Sequence, residues 1–254
     1  MQGQEAQEIA LSRSLWTRIL AGLTAAVSLA GLTVEVLKWH LRWKGRTGVV
    51  PLLSLSYEQN VPTYFTAVLL VIAACLSALL AAGTPRGKRW EAVGWWGLAA
   101  GFLYISFDEV AEIHERWGEG IHTTGVLYFG WVIPAACVVA VVLALYVPFL
   151  RRLPRGARNW LLLSGAVYVL GAVGLELPLG YWTEREGQKN LGYALIDWVE
   201  ETMEMAGIVL YLRAVFDLLR ERGVLVRFGL PSRAVVVPAA EAPAEAPAED
   251  AEER

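Results

Sequence analysis

Acidic side chains recur at helical intervals in two apolar regions of this chain. In the first region Asp108, Glu112 and Glu115 follow the i, i+4, i+7 spacing, so a continuous helix would present them on one face. His114 would point away from that face. In the second region four acids would together cover one broad side of a helix: Asp197, Glu200, Glu201 and Glu204.

Further acids stand next to the ends of the other apolar segments: Glu35, Glu58, Glu109 and Glu176. When the segments are threaded alternately up and down through a membrane, all of these acids fall at the same face. Like charges this close repel one another unless a cation or a shared proton neutralises them. The pattern therefore predicts a carboxylate-rich site that draws on five helices.

Many carboxylates with at most one or two histidines suit a hard or borderline metal ion. The preferred ligands are Glu112, Glu176, Glu201 and Glu204, followed by Asp108, Glu115 and His114. The residues expected around them are Glu35, Glu58, Glu109, Asp197 and Glu200. We expect one divalent ion or a two-metal site, with iron or manganese favoured and magnesium, calcium or zinc as alternatives. Ferritin-like sites use similar carboxylates, but the paired Glu-x-x-His motifs of that class are absent.

Two simpler explanations compete with a functional site. The helix dipole favours acids in a first turn, which would account for the acids that open the last apolar segment. Solvent exposure at the membrane interface would account for Glu58 and Glu115. Neither explanation suits Glu176 or Glu204, because apolar residues flank both and carboxylates inside a membrane are costly.

The segments that carry the acids are apolar enough to cross a membrane. Hydrophobic residues make up 56% of the 254 residues and the mean hydropathy is +0.43, and several runs approach the roughly 20 residues that a span requires. These runs are continuous, which favours helices over a barrel. We predict an all-α integral membrane bundle of about six transmembrane helices, near residues 15–37, 62–82, 93–107 (able to continue to 115), 126–150, 159–177 and 191–212.

Basic residues predict the orientation of this bundle. Arginine and lysine cluster at residues 86–89, 151–158 and 213–222, three regions that share one side, which should be the cytoplasm. The loop after the first span does not fit this pattern. The alternation of the spans places it outside, although it carries four basic residues: Lys38, Arg42, Lys44 and Arg46. The acidic layer is then extracytoplasmic.

The predicted organisation is a cytoplasmic N-terminal segment of residues 1–14, a membrane domain of residues 15–222 and a cytoplasmic tail of residues 223–254. The tail is rich in Ala, Pro and Glu, and we expect it to be largely disordered. Both termini would lie in the cytoplasm, and the location would be the cell (inner) membrane. Cys75 and Cys137 fall within spans, where buried thiols are expected ahead of a redox pair.

Three sequence segments resemble a group of uncharacterised bacterial multi-pass membrane proteins. They are EQNVPTYF from Glu58, SFDE followed by HE at residues 114–115, and EExxEMxG from Glu200. The resemblance covers about residues 58–211. It implies a membrane architecture and a shared site, and no reaction.

The acids favour metal-dependent chemistry on a small or lipidic substrate. The sequence is compatible both with an enzyme and with a protein that is not an enzyme. One alternative is a non-catalytic subunit of a larger membrane complex. Another is a cation or proton transporter, which the apolar cytoplasmic halves of the helices disfavour. The expected partners are the lipid bilayer and either other membrane proteins or a second copy of the chain. Nothing in the sequence indicates nucleic-acid, haem, flavin or nucleotide binding.

Overall fold

Nine α-helices and no β-strand make up the part of the chain that the computed structural model describes, residues 13–43 and 47–223. The helices are α1 Arg13–His40, α2 Val49–Leu53, α3 Val61–Ala82, α4 Arg89–Ala111, α5 Ile113–Trp117, α6 Val132–Arg152, α7 Arg155–Val169, α8 Glu176–Glu186 and α9 Leu191–Glu221. The prediction of an all-α fold is confirmed. The N-terminal segment up to residue 12, Lys44, Arg46 and the tail from residue 224 lie outside the described residues.

Four helical segments are long and apolar enough to cross a membrane. They are Leu15–His40, Val61–Ala82, Val132–Arg152 and Arg155–Glu186. Two further long helices, α4 and α9, carry the acids of the predicted site and are not among these four. The helices thus support a membrane protein with at least these four candidate spans among the described residues.

The start of α3 follows directly from its sequence. Asn60 caps the helix, because its side-chain oxygen accepts a hydrogen bond from the backbone N–H of Thr63 at 3.2 Å, and Pro62 occupies the first turn, where its missing N–H costs nothing. The predicted boundaries of residues 62–82 are confirmed to within one residue.

The fifth span is longer than predicted. The sequence predicts that it ends at residue 177, just before Pro178, yet a π-helical segment, Leu170–Leu175, joins α7 to α8 and the helix runs on to Glu186. Pro178 lies three residues after the π-helical segment, whose wider turn already interrupts the regular α-helical hydrogen bonds. The prediction that this helix ends near residue 177 is therefore wrong, and Glu176 lies within a continuous helix.

The helix α4 ends earlier than the sequence suggested. Glu112 adopts the left-handed conformation (φ 51°) and its N–H donates to the Asp108 carbonyl at 2.7 Å. The chain therefore turns before α5 begins, and the prediction that Asp108, Glu112 and Glu115 share one face of a continuous helix is wrong.

The central element is α9, which packs against α1, α3, α7 and α8. Its second half is almost fully buried, with Met205, Leu212 and Val215 at 0% exposure. At Gly207 it approaches α7 so closely that an added Cβ would lie 2.8 Å from the Cβ of Tyr168. The first half of α9 carries the acids. We call the end of the bundle where α9 begins the acidic end, and the end where α3 meets α4 and α6 meets α7 the basic end.

The outward faces of the bundle are apolar. Leu29, Leu103 and Leu145 are more than half exposed. Cys75 and Cys137 are exposed free thiols on such faces, so the prediction that they are buried is wrong. Within a bilayer, lipid tails and not neighbouring helices would surround these two thiols.

Candidate functional site

A cavity of about 720 Å³ lies between α4, α6, α8 and α9 and reaches the acidic end. Eight acids line it: Glu58, Asp108, Glu109, Glu176, Asp197, Glu200, Glu201 and Glu204. His114 is also in the wall, and none of the described lining residues is lysine or arginine. The walls therefore gather eight carboxyl groups around a space that they do not supply with basic side chains.

The acids of α9 are the most deeply buried part of this wall. Glu200 and Glu204 are only 7% and 9% exposed, and the Tyr168 hydroxyl lies beside Glu204. One Glu200 oxygen, Oε2, has no hydrogen-bond partner within the described part of the chain. Because an unpartnered carboxylate is costly to bury, Glu200 is set up to receive a ligand group or to hold a proton.

A chain of contacts crosses the opposite wall. Asp108 accepts a hydrogen bond from the backbone N–H of His114 at 2.8 Å, and its other oxygen lies 3.0 Å from the His114 ring Nδ1. The His114 ring packs against Trp131 at a tilt of 55° with centroids 4.8 Å apart, and the Trp131 indole donates to Glu176 at 3.2 Å. The prediction that His114 points away from Asp108 is wrong, because it assumed that α4 continues unbroken.

The π-helical segment brings Glu176 to this cavity. It packs tightly on α9, since a Cβ added at Gly171 would lie 3.0 Å from the Glu200 carbonyl oxygen and 3.1 Å from the Met203 side chain. One extra residue in a helical turn rotates everything after it by roughly 100°. Glu176 is the first residue after the segment, so its orientation depends on this local change of register.

Three of the predicted site residues lie elsewhere or cannot be placed. Glu112 is outside the cavity and accepts a hydrogen bond from the Gln59 side chain at 3.0 Å. Glu35 is 1% exposed and is bound by the Ser54 hydroxyl and by Lys38, whose Nζ lies 2.6 Å from Glu35 Oε2. The side chain of Glu115 is outside what the structure describes. The other nine predicted residues line the cavity.

The acids of the cavity are not arranged around a single position for a metal ion. Within residues 13–43 and 47–223, no group of three or more His, Cys, Asp or Glu side chains is arranged to hold a metal. The acids are instead spread over the walls of a space much larger than an ion. The geometry gives no support to the predicted metal site, although it brings most of its residues together.

Sequence reasoning missed the aromatic and apolar parts of the cavity. Aromatic rings surround its acidic part: Tyr104, Trp117, Tyr128, Trp131 and Tyr193. Apolar side chains of α4 and α6 continue the wall towards the basic end, where Tyr146 donates to the Gly94 carbonyl at 3.1 Å. The signal is present in the sequence, because Trp117 and Trp131 follow the acids of α4, but tryptophan near the end of an apolar segment is also typical of membrane-interface belts.

The fold and the cavity define an all-helical protein that has helices able to cross a membrane and a carboxylate-lined space at one end. Residues 18–218 match the family described as a domain of unknown function, DUF8692, and the chain belongs to that family. This agrees with the resemblance to an uncharacterised group. No curated protein and no solved structure matches the chain.

Proposed function

We propose that this protein is a six-span membrane protein whose acidic cavity binds a ligand with a cationic ammonium group and an apolar portion. The observation that carries the proposal is Glu200, a buried acid that lines the cavity and whose Oε2 has no hydrogen-bond partner in the described part of the chain. Neither Glu201 nor Glu204, its neighbours in the same wall, has an ion pair with a basic side chain in the described part of the chain.

The proposal adds α4 and α9 to the four apolar spans. Their acids reduce the hydropathy of both helices, but these acids line the cavity and do not need to face lipid. We place the acidic end outside and both termini in the cytoplasm, because basic residues are concentrated at the basic end. A variant lacking Cys75 and Cys137, with cysteine introduced at Arg86 or at Glu186, tests this. A membrane-impermeant thiol reagent applied to intact cells should label position 186 alone, and labelling of both positions would refute the topology.

An organic cation suits the cavity better than a coordinated metal ion. The volume of about 720 Å³ fits a small molecule. Tyr104 and Trp117, whose ring centroids are 6.5 Å apart, supply aromatic faces that attract ammonium groups through cation–π interactions. The apolar wall between α4 and α6 provides a place for a hydrocarbon chain.

A divalent metal is the second candidate, and the contact between Asp108 and His114 favours it. Metal-bound histidines usually direct their other ring nitrogen to a carboxylate, and His114 lines the same cavity as Glu176 and Glu204. A metal there would supply Lewis-acid catalysis or an activated water. Such a site would need the side chains to rearrange, since no metal-holding group is present in the described residues.

Calorimetric titration of the purified protein in maltoside micelles separates the two candidates. We expect dodecylammonium to bind and the uncharged analogue dodecanol not to bind. Glu200→Gln should weaken dodecylammonium binding by about tenfold or more, as for the loss of a charge-assisted hydrogen bond. Glu112→Gln, which removes an acid at the same end but outside the cavity, is the matched control.

The metal and accessory-subunit hypotheses give different results in this titration. Saturable binding of manganese or iron, with none of dodecylammonium, would replace the ammonium proposal with the metal site. Absence of binding by either kind of cation would refute both and favour the role of a non-catalytic subunit.

A further inference from the structure

A second pocket, of about 550 Å³, lies at the acidic end beside the cavity. Its walls combine basic and aromatic side chains: Lys38, Arg42, Lys189, Trp39, Trp43 and Tyr57. No aspartate or glutamate is among the described residues that line it. Its charge is therefore opposite to that of the acidic cavity.

The first of the three cations is held in place by its neighbours. Lys38 forms an ion pair with the buried Glu35, and its Nζ lies 5.6 Å and 5.4 Å from the ring centroids of Trp39 and Tyr57. These contacts fix the ammonium group at the wall of the pocket while part of its charge is already neutralised.

The other two cations are available to a ligand. Arg42 and Lys189 are exposed, and neither has an ion-pair partner in residues 13–43 or 47–223. Arg42 lies two residues after the end of α1 in the left-handed conformation (φ 52°), and the next N–H, of Trp43, returns to the Lys38 carbonyl at 3.0 Å. Glycine usually occupies such a position at a helix end. Arg42 therefore adopts a backbone conformation that is less favourable for arginine than for glycine.

The two spaces share a wall. Gln188 and Tyr193 line both the acidic cavity and the basic pocket. A site for a cation and a site for an anion are therefore adjacent, and the Gln188 amide can donate to one group and accept from the other. This arrangement matches a headgroup that carries both charges.

The pocket also accounts for the loop that disagrees with the positive-inside pattern. Lys38 and Arg42 belong to the one basic region that the proposed topology places outside. If these residues bind an anionic ligand, they are needed on the outer side. Their position is then explained by binding and not by the orientation of the protein in the membrane.

We infer that the basic pocket binds the phosphate of a zwitterionic phospholipid while the ammonium group of the same headgroup enters the acidic cavity. This inference rests on the proposed function and specifies its ligand. Trp39 and Trp43 in the wall of the basic pocket are exposed, as tryptophans at a membrane interface are, which favours a membrane lipid over a soluble phosphate compound.

The test measures lipid binding to the full-length protein by native mass spectrometry, with four probes. Three are lipids with identical acyl chains: phosphatidylethanolamine, phosphatidylglycerol and a trimethylammonium lipid without phosphate. The fourth is soluble phosphoethanolamine. We expect phosphatidylethanolamine to bind about tenfold more tightly than each other probe, the difference expected for one charge-assisted contact.

Variants assign the two halves of the headgroup. The double variant Arg42→Gln with Lys189→Gln should remove the preference for phosphatidylethanolamine over the trimethylammonium lipid, and binding of the latter should persist. Arg185→Gln is the matched control, because Arg185 is an exposed cation at the same end that stacks on Tyr181 and lines neither space. All three positions are exposed, and an unchanged melting temperature would verify folding.

The outcomes separate this inference from the function on which it rests. If the trimethylammonium lipid binds as tightly as phosphatidylethanolamine, or the double variant keeps the preference, the phosphate site is wrong and the acidic cavity stands. If phosphoethanolamine binds as tightly as the lipid, the ligand is a soluble phosphate compound and the inference of a phospholipid is overturned. If no ammonium compound binds, the proposed function itself fails.

Discussion

Two groups of buried acids in this protein differ in how their charge is balanced. Glu35 is paired with Lys38 and hydrogen-bonded by Ser54, and Glu91 of α4 is paired with Arg222. The Glu200 carboxylate, although almost as buried as that of Glu35, faces a cavity without a lysine or arginine among its described lining residues. The fold thus supplies internal cations to Glu35 and Glu91, whereas under the proposed function the acids of the cavity meet a charge from outside.

The largest effect is expected at Glu35, where a substitution can remove the internal cation, Lys38. Lys38→Met should destabilise the protein by about 3–5 kcal/mol, the usual cost of leaving one member of a buried ion pair alone. Denaturant or thermal unfolding in micelles measures this loss. Arg42→Met, which removes an exposed cation nearby, should change the free energy of unfolding by no more than about 0.5 kcal/mol. Equal effects of the two variants would show that Glu35 does not depend on its internal cation.

A smaller effect is expected where the wall of the cavity is held by close packing. Gly207→Val would force α7 away from α9, because even a Cβ would lie 2.9 Å from the backbone nitrogen of Tyr168. We expect a loss of about 2 kcal/mol in stability together with weaker dodecylammonium binding. Gly165→Val is the control, since nothing lies within 4 Å of its Cβ position, and its stability should be unchanged or slightly higher. Similar losses for both variants would contradict the tight α7–α9 crossing.

The smallest effect is expected at Glu112, the acid that the sequence ranked among the best ligands. Its carboxylate bonds to Gln59 outside the cavity, so Glu112→Gln should change ligand affinity less than twofold and stability by about 0.5 kcal/mol or less. Both can be read from the titration and the melting curve of one preparation. A loss of affinity comparable to that of Glu200→Gln would mean that Glu112 turns into the cavity when the ligand is bound.

The parts of the fold that could be predicted have local causes. The bounds of α3 follow from the cap at Asn60, the proline in its first turn and Gly83 after its last residue. The start of α9 follows in the same way from Asn190, whose side chain accepts from the Tyr193 N–H. The early end of α4 could not be predicted, because residues 102–117 contain no glycine or proline. The turn at Glu112 is accompanied by long-range and local contacts, from Gln59 to Glu112 and from His114 to Asp108.

The candidate site was predictable only in part. Alternating spans were enough to gather the acids at one end, and nine of the twelve predicted residues line the cavity. Their exact arrangement depends on a turn that redirects His114 and a π-helical segment that orients Glu176. Neither feature has a signal in the spacing of the acids, so the metal site that the spacing predicted has no support in the geometry.

The central claim is that Glu200 meets an ammonium group from outside the protein, and thermal melting with and without that group tests it most directly. Dodecylammonium at about a hundredfold above its dissociation constant should stabilise the wild-type protein by about 2.7 kcal/mol. The same addition should stabilise Glu200→Gln by about 1.4 kcal/mol or less, because tenfold weaker binding leaves the ligand only about tenfold above its dissociation constant, and it should shift Glu112→Gln as it shifts the wild type. An equal shift in Glu200→Gln and the wild type, or stabilisation by manganese alone that chelator reverses, would contradict the account.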